Sequence, residues 1–346
     1  MSSKDVALAM EALKDSATTL MFHAEMVPAE TNGTTNGTNG TNGHTKQPED
    51  QTAYQTFLDS RPPSYETTAV EEILSLAHIA PSLPLHIVHL SATQCIPLLR
   101  AARARGVNIT AATCFHYLGL SAEEIARGDT RHKCCPPIRE GRNRDGLWEE
   151  LVAADSCIRT VVSDHSPCTP ELKLLPEHLR GDDKKTAAAS SQPQQQNGNK
   201  ANGRGGDFMA AWGGISSVGL GLPILHTASR QRIKAGGAGA APSLTDIVRL
   251  CCQATAEQVG LAHRKGALAA GMDADVCVFD DAEAWTFTQG DMRWKNRCSP
   301  WEGREFVGRV RETWLRGRKV FELDAGRGGF VVDAPFGESI TERRTR

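Results

Sequence analysis

The sequence predicts an α/β fold, in which helices alternate with the parallel strands of a (β/α)8 TIM-type barrel, followed by a small β-rich module. Helix-like and strand-like segments alternate with short connections as far as about residue 260, which is typical of a parallel sheet covered by helices. Three predicted strands end at a side chain that can bind a metal: His23, His89 and Asp164. Because the carboxyl ends of barrel strands converge on one mouth, we expect these side chains to lie close together.

The individual elements follow from apolar periodicity, caps and breakers. The predicted strands are Thr19–Phe22, Leu85–Val88, Val107–Thr113 and Ile158–Ser163. The predicted helices are Lys4–Asp15, a helix starting near Thr68 with a capping box to Glu71, Cys95–Arg105, a short helix after Ser121, Leu147–Asp155 and Ser243–Gly260. A single His at a strand end is most often structural, but three such ends in phase with the repeat favour a functional site.

The chain divides into three predicted parts. Residues 1–262 form the barrel region, interrupted by low-complexity insertions near 31–52 and 182–206 that are rich in Thr, Asn, Gly, Ser and Gln. Residues 263–335 form the β-rich module, with a turn-rich entry into a strand at Gly266–Asp280 and a hairpin at Thr313–Phe321. Residues 336–346 form a tail.

Composition argues against several classes of protein. With 39 Lys and Arg against 41 Asp and Glu, the net charge of −2 does not favour nucleic-acid binding. No apolar run approaches the roughly 18 residues of a membrane span, so no membrane association is expected. The N-terminus has no apolar stretch typical of a secretion signal, so we expect a cytoplasmic protein whose ten cysteines stay reduced.

Several longer strings resemble the allantoinases, a family of cyclic amidohydrolases. The resemblance rests on Val162–Cys168 (VSDHSPC), Lys133–Arg139 (KCCPPIR), Thr113–Leu118 (TCFHYL), Ala211–Ser217 (AWGGISS) and the tail-like segment Gly266–Asp280. It covers nearly the whole chain apart from the two insertions. Dihydropyrimidinases and dihydroorotases share the architecture but usually vary these strings.

The resemblance implies a site for two metal ions, usually zinc, at the barrel mouth. His23 matches the family's ligand after the fifth strand, His89 the ligand after the sixth, and Asp164 the ligand after the eighth. Asp164 would also act as the general acid and base, while the metal activates water and polarises the scissile carbonyl. Backbone groups near Cys135, Gly213 and Gly214 would bind the substrate, although a purely structural role for these turn residues is equally open.

Two other histidines are not expected to be metal ligands. His116, in the Cys-Phe-His-Tyr string, is expected to be a hydrogen-bonded structural residue rather than a ligand. His165 follows Asp164 directly and should point to the opposite side of an extended chain, so it is not expected to bind metal.

One family feature is missing. The metal-binding H-x-H pair of the first strand does not occur in the chain, and only 22 residues precede His23. We therefore expect an incomplete barrel containing about strands 5 to 8, the C-terminal portion of an allantoinase. Three of six ligands remain, so at most one weakly held zinc site and impaired hydrolysis of allantoin to allantoate are expected. The resemblance also implies a homotetramer.

Two alternatives remain open at this point. The chain could be a non-catalytic binding or assembly subunit derived from an allantoinase. It could also belong to another cyclic amidohydrolase, such as a dihydropyrimidinase or a dihydroorotase, which a panel of substrates would distinguish.

Overall fold

The computed structural model describes residues 2–28, 50–180, 205–236 and 241–341. Its centre is a four-stranded parallel sheet in the order β1-β2-β3-β4. The strands are β1 (Leu20–Phe22), β2 (Leu85–Ile87), β3 (Ile109–Cys114) and β4 (Ile158–Val162). All four predicted strands are thus confirmed, and the sheet is parallel as expected. Most of the two insertions, at 29–49 and 181–204, lies outside the described residues.

The helices pack around this sheet in the alternating order that the sequence predicts. The α-helices are α1 (Ser3–Leu13), α2 (Tyr54–Asp59), α3 (Ser64–Leu76), α4 (Cys95–Ala104), α5 (Phe115–Gly119), α6 (Gly141–Val152), α7 (Gly221–Lys234), α8 (Leu244–Val248) and α9 (Ala254–Gln258), with a π-helical segment, Arg249–Gln253, joining the last two. Short 3-10 turns occur at Ala77–Ile79, Ala122–Glu124, Thr130–His132, Pro170–Lys173, Glu177–Leu179, Gln289–Asp291 and Arg327–Gly329. Among the described helices, none is long and apolar enough to cross a membrane.

Two predicted helix starts are wrong. Helix α3 begins at Ser64, directly after Pro63, so the predicted capping pair Thr68 and Glu71 lies inside the helix. Proline fits a helix start because its missing N–H would have no partner there. Helix α6 begins at Gly141, ahead of the predicted Leu147, because its polar first turn packs against the loop that follows β2.

Three helices were not predicted, and one of them, α5, is only five residues long. Helix α7 opens with Gly221 and Pro223, which indicate a loop when only the local sequence is considered, although proline is tolerated in the first helical turn. Helix α2 is only six residues long, which is too short for apolar periodicity to be recognised.

The C-terminal region forms a second sheet, with three antiparallel strands. These are β5 (Val276–Thr286), β6 (Glu305–Leu315) and β7 (Arg318–Glu322), so the predicted strand entry and hairpin are confirmed. Arg316 and Gly317 connect β6 to β7, both with positive φ (48° and 76°), as a two-residue hairpin turn requires. A domain boundary at residue 262 stays a prediction.

A buried ion pair supports the loop after β2. Glu66, on α3, accepts hydrogen bonds from the backbone N–H groups of Ser91 and Ala92 at 2.9 and 3.0 Å and pairs with Arg139 at 2.7 Å. Both side chains are almost fully buried, at 3% and 2% exposure. The pair therefore fixes the backbone just beyond His89, which lies two residues before Ser91.

We predict that Arg139→Met destabilises the protein by about 3–5 kcal/mol, because it leaves the Glu66 carboxylate buried without its counter-ion. The matched control is Arg127→Met, which breaks an exposed pair with Asp50 and should cost no more than about 1 kcal/mol. Urea denaturation of both variants measures the difference, and equal losses for the two would contradict the prediction.

Candidate metal centre

Unusual backbone conformations mark the ends of three strands. Ala24, His89 and Asp164 have φ values of 55°, 40° and 45°, in the left-handed region that non-glycine residues rarely adopt. Each lies two residues beyond the last residue of a strand, at the carboxyl edge of the parallel sheet. Such conformations persist only where the surrounding structure enforces them, and they cluster at functional sites. The backbone thus singles out the same edge of the sheet as the side-chain pattern.

His23 and His89 come together at this edge. Their ring nitrogens, Nδ1 of His23 and Nε2 of His89, lie 2.9 Å apart, and the rings meet edge to face. Zinc–nitrogen bonds of about 2.0–2.1 Å place two ligand nitrogens roughly 2.9–3.4 Å apart at ordinary bond angles. The two nitrogens, which are within hydrogen-bonding distance of each other, are therefore also close enough to bind a single shared metal ion.

A carboxylate and a guanidinium orient His23. Oε2 of Glu25 lies 2.8 Å from Nε2 of His23 and accepts a hydrogen bond from Arg61 at 3.0 Å. Burial would raise the pKa of Glu25, but His23 and Arg61 outweigh it and hold that pKa below its ordinary value. An ionised carboxylate on the outer ring nitrogen fixes the ring with Nδ1 directed at the site, which is the usual support for a metal-binding histidine.

Asp164 lies in a second group, with Cys114 and His116. The possible donor atoms of these three residues are all within 4.8 Å of one another. Burial raises the pKa of the Asp164 carboxyl above its ordinary value. The hydrogen bond expected for His116 is missing, because the ring is fully buried and neither of its nitrogens has a hydrogen-bond partner.

The two buried histidines are held neutral. Burial lowers the pKa of His89 to about 4, with a smaller contribution from His23, and that of His116 to about 3, with a smaller contribution from His89. Nδ1 of His89 is also buried without a partner. Neutral imidazoles with unsatisfied nitrogens are the donors that zinc and similar ions prefer, so the residues present fit a bound metal.

His165 has a different task from its neighbour Asp164. Its Nδ1 accepts hydrogen bonds from the backbone N–H groups of Ser217 and Val218, each at 3.1 Å. This bonding ties the segment after β4 to residues 217 and 218.

Cys135 and Gly213 line a cavity of about 490 Å³ next to the centre. A side chain at Gly213 would lie 3.2 Å from Sγ of Cys135, and one at Gly214 would overlap the Ser166 carbonyl at 2.3 Å. Gly214 is therefore needed for this close backbone approach, whereas a side chain at Gly213 would be tightly packed against Cys135. The other residues that line the cavity are Phe57, Ser60, Arg61, Tyr65, Lys133, Met209 and Trp212. Since Arg61 also binds Glu25, one side chain connects this cavity to His23.

Two buried lysines hold the loop that carries the glycines. Lys173 donates to the carbonyls of Lys133 and Trp212 at 3.2 and 3.1 Å and also to that of Gly214. Lys133 donates to the carbonyls of Met209 and Ala211 at 3.0 and 2.6 Å. Burial lowers the pKa of both lysines, the cost of keeping ammonium groups out of water. The shape of the loop thus depends on side chains that are distant in sequence.

We predict that Lys173→Met loosens this loop, because three carbonyls lose their donor at a cost of about 2 kcal/mol. Hydrogen exchange of the Gly214 amide, which donates to the Lys133 carbonyl at 2.9 Å, should become faster in the variant. Lys295→Met removes an exposed lysine and serves as the control. Unchanged Gly214 exchange in Lys173→Met would show that the ammonium does not hold the loop.

Sequence reasoning missed several residues of this region. Glu25 had a local signal, since residues two apart on an extended segment face the same side and His23-x-Glu25 has that spacing. Arg61 and Lys173 had none, because each reaches the site from a distant segment through tertiary packing.

Comparison with known proteins finds relatives among the amidohydrolases. A model of the amidohydrolase family matches residues 226–321. The chain is 39% identical over 339 residues to the allantoinase of Saccharomyces cerevisiae, covering 97% of this chain and 61% of that protein. It is 39% identical over 267 residues to the allantoinase of Streptomyces avermitilis, covering 77% and 50%. The chain thus spans between half and two thirds of the length of these relatives.

Solved structures agree on the fold. A D-hydantoinase from Thermus sp. matches with a TM-score of 0.69 at 22% identity, covering 96% of this chain and 62% of that one. The L-hydantoinase from Arthrobacter aurescens matches with a TM-score of 0.66 at 20% identity, covering 93% and 61%. These structures show the fold of the chain, and in sequence the chain is similar to the allantoinases.

Proposed function

We propose that this chain takes part in the metal-dependent hydrolysis of the cyclic amide of allantoin to allantoate. The observation that carries the proposal is the meeting of His23 and His89 at the carboxyl edge of the sheet, their nitrogens 2.9 Å apart, in a chain 39% identical to yeast allantoinase. The metal ions are proposed to be zinc, which suits neutral imidazole and carboxylate donors.

His23, His89 and Asp164 are the proposed ligands. A bound metal would activate water at neutral pH and polarise the amide carbonyl. His89 presents a neutral nitrogen, and the Glu25–Arg61 pair keeps the His23 ring in place. Asp164 would accept the proton of the attacking water and deliver it to the leaving ring nitrogen, a task for which a carboxyl of raised pKa is suited.

The cavity beside Cys135 and Gly213 is the proposed position of the substrate. Allantoin is a small polar heterocycle carrying a ureido group, so it needs several hydrogen-bond donors and acceptors at fixed positions. Backbone groups at Cys135, Gly213 and Gly214 can supply these, because the lysine-held loop leaves them little freedom. Arg61 at the cavity wall adds a cationic donor for a carbonyl oxygen.

The chain by itself is proposed to hold only part of the catalytic centre. Its sequence contains no H-x-H pair, and the parallel sheet in the described residues has four strands. We therefore propose that the remaining ligands and barrel strands must be supplied by additional polypeptide before turnover occurs. The homotetramer and the cytoplasmic location expected from the sequence stay predictions.

We predict little or no allantoin hydrolysis by the chain alone and measurable hydrolysis when it is co-expressed with the part of the yeast allantoinase that it does not match. Asp164→Asn in the co-expressed pair should abolish turnover, because the proton carrier is lost. Asp155→Asn, at an exposed carboxylate, is the matched control and should leave turnover unchanged. Zinc analysis of each purified sample accompanies the assay.

Three results would contradict this proposal. Robust turnover by the chain alone would show that it needs no further ligands. A complemented pair that stays inactive although zinc is bound would favour a non-catalytic assembly subunit. Preference for dihydrouracil or dihydroorotate over allantoin would assign the site to another cyclic amidohydrolase.

A further inference from the structure

His116 is a buried polar side chain whose bonding is incomplete. The residue is 0% exposed, and neither Nδ1 nor Nε2 has a hydrogen-bond partner. An imidazole N–H buried without a partner costs about 1–3 kcal/mol, and nearly all buried polar groups in native proteins avoid this cost. The ring has not been placed there for packing alone, because an apolar side chain would fill the same space without the penalty.

The neighbours of His116 are two further metal donors. Sγ of Cys114 and a carboxylate oxygen of Asp164 lie with a ring nitrogen of His116 inside a group whose members are all within 4.8 Å. Among the residues that the structure describes, these three form the one such group of potential ligands. Cys114 is fully buried, so the thiol, like the imidazole, faces the protein interior rather than solvent.

The topology explains why the three meet. Strands β3 and β4 are adjacent and parallel, and Cys114, the last residue of β3, is level with Val162, the last residue of β4. Asp164 leaves the end of β4 with a left-handed backbone (φ 45°). His116 lies in the first turn of α5, which starts directly after Cys114. The donors thus come from two neighbouring strand ends and are held by the sheet itself.

We propose that Cys114, His116 and Asp164 form a binding site for one divalent cation of intermediate softness, such as Zn²⁺. The chain can form this site without an H-x-H pair. The site is separate from the ion shared by His23 and His89, although Asp164 belongs to the hydrolytic centre proposed above. Metal binding can be measured without turnover, so the site can be tested independently of hydrolysis.

The donor set fits such an ion. One sulfur, one nitrogen and one oxygen leave a fourth tetrahedral position open, as in zinc sites with three protein ligands. From bond lengths of about 2.0–2.1 Å for N and O and 2.3 Å for S, ligand atoms in that geometry lie roughly 3.3–3.6 Å apart. The donor atoms, which lie up to 4.8 Å apart, therefore move about 1 Å closer together when the ion binds. Rotation of the side chains provides this movement. The Cys114 thiol would give its proton to solvent, since the thiolate is the ligand form.

The proposal changes the expected metal content of the chain. The sequence predicts at most one weakly held zinc, because three ligands divided over two ions leave each ion poorly bound. When Cys114 and His116 are added to the ligand set, the ion bound by Asp164 has three protein donors instead of one. Two ions of different ligand type are then expected, one bound by nitrogen donors and one by a thiolate-containing set.

Cobalt titration of the full-length chain tests the site directly. Co²⁺ bound to a thiolate gives a strong near-ultraviolet charge-transfer band, whereas Co²⁺ bound to nitrogen and oxygen alone does not. We expect the unmodified chain to show this band and Cys114→Ser to lose it. Cys252→Ser, at an exposed cysteine, is the matched control and should keep the band.

Two further variants separate the donors. His116→Gln should weaken Co²⁺ binding at the thiolate site by about 100-fold. Removing a hydrogen-bond partner of a metal ligand already costs up to about 100-fold in metal affinity, and losing a ligand should cost no less. His78→Gln, at an exposed histidine, is the matched control. His23→Ala should leave the charge-transfer band intact, because His23 belongs to the other ion. Circular dichroism of every variant verifies that the fold is retained.

The proposal is overturned if the unmodified chain shows no charge-transfer band, if Cys114→Ser keeps it, or if His116→Gln binds Co²⁺ unchanged. Loss of the band in His23→Ala would also overturn it, since a single shared site would then explain the data. These results are independent of allantoin turnover in the complemented pair. The metal site and the proposed function can therefore fail separately.

Discussion

The parallel register of β1 to β4 is the constraint on which the rest of the site depends. Phe22 lies level with Ile87, and Cys114 with Val162, so neighbouring strands end at the same edge of the sheet. The possible metal donors, which are His23, His89, Cys114, His116 and Asp164, all lie at that edge or directly after it. A shift of one strand by a single residue would turn its side chains to the other face and separate the donors.

Polar groups that are buried behind the site hold the loops in place. Glu66 and Arg139 fix the backbone after β2, while Lys133 and Lys173 bind carbonyls of the loop containing Gly213. Each pays a desolvation cost that is offset only when its partners are at the correct distance. Such groups contribute less to stability than to a single defined arrangement, so the loops are preorganised before any ligand binds.

The sequence was sufficient for the regular parts of the fold and for the first donors. Short apolar runs bounded by breakers predicted all four parallel strands, and His23, His89 and Asp164 could be placed at their ends. Helix starts were predicted less well, because α6 begins with a polar turn whose Asn143 packs against the loop after β2. His116 was assigned a structural role because the sequence cannot show that both ring nitrogens lack partners.

The amino-acid sequence by itself determined the order of elements, the parallel sheet, the strand-end histidines and the resemblance to allantoinases. These properties depend on residues close together along the chain, where periodicity and motifs are readable. Only the tertiary structure decided which possible donors lie close together, that Glu25 and Arg61 orient His23, and that Cys114 and His116 lie near Asp164. The reason is physical: contacts and burial depend on distances between groups that lie as far apart in sequence as His23 and His89, which are separated by 66 residues, and packing alone sets those distances.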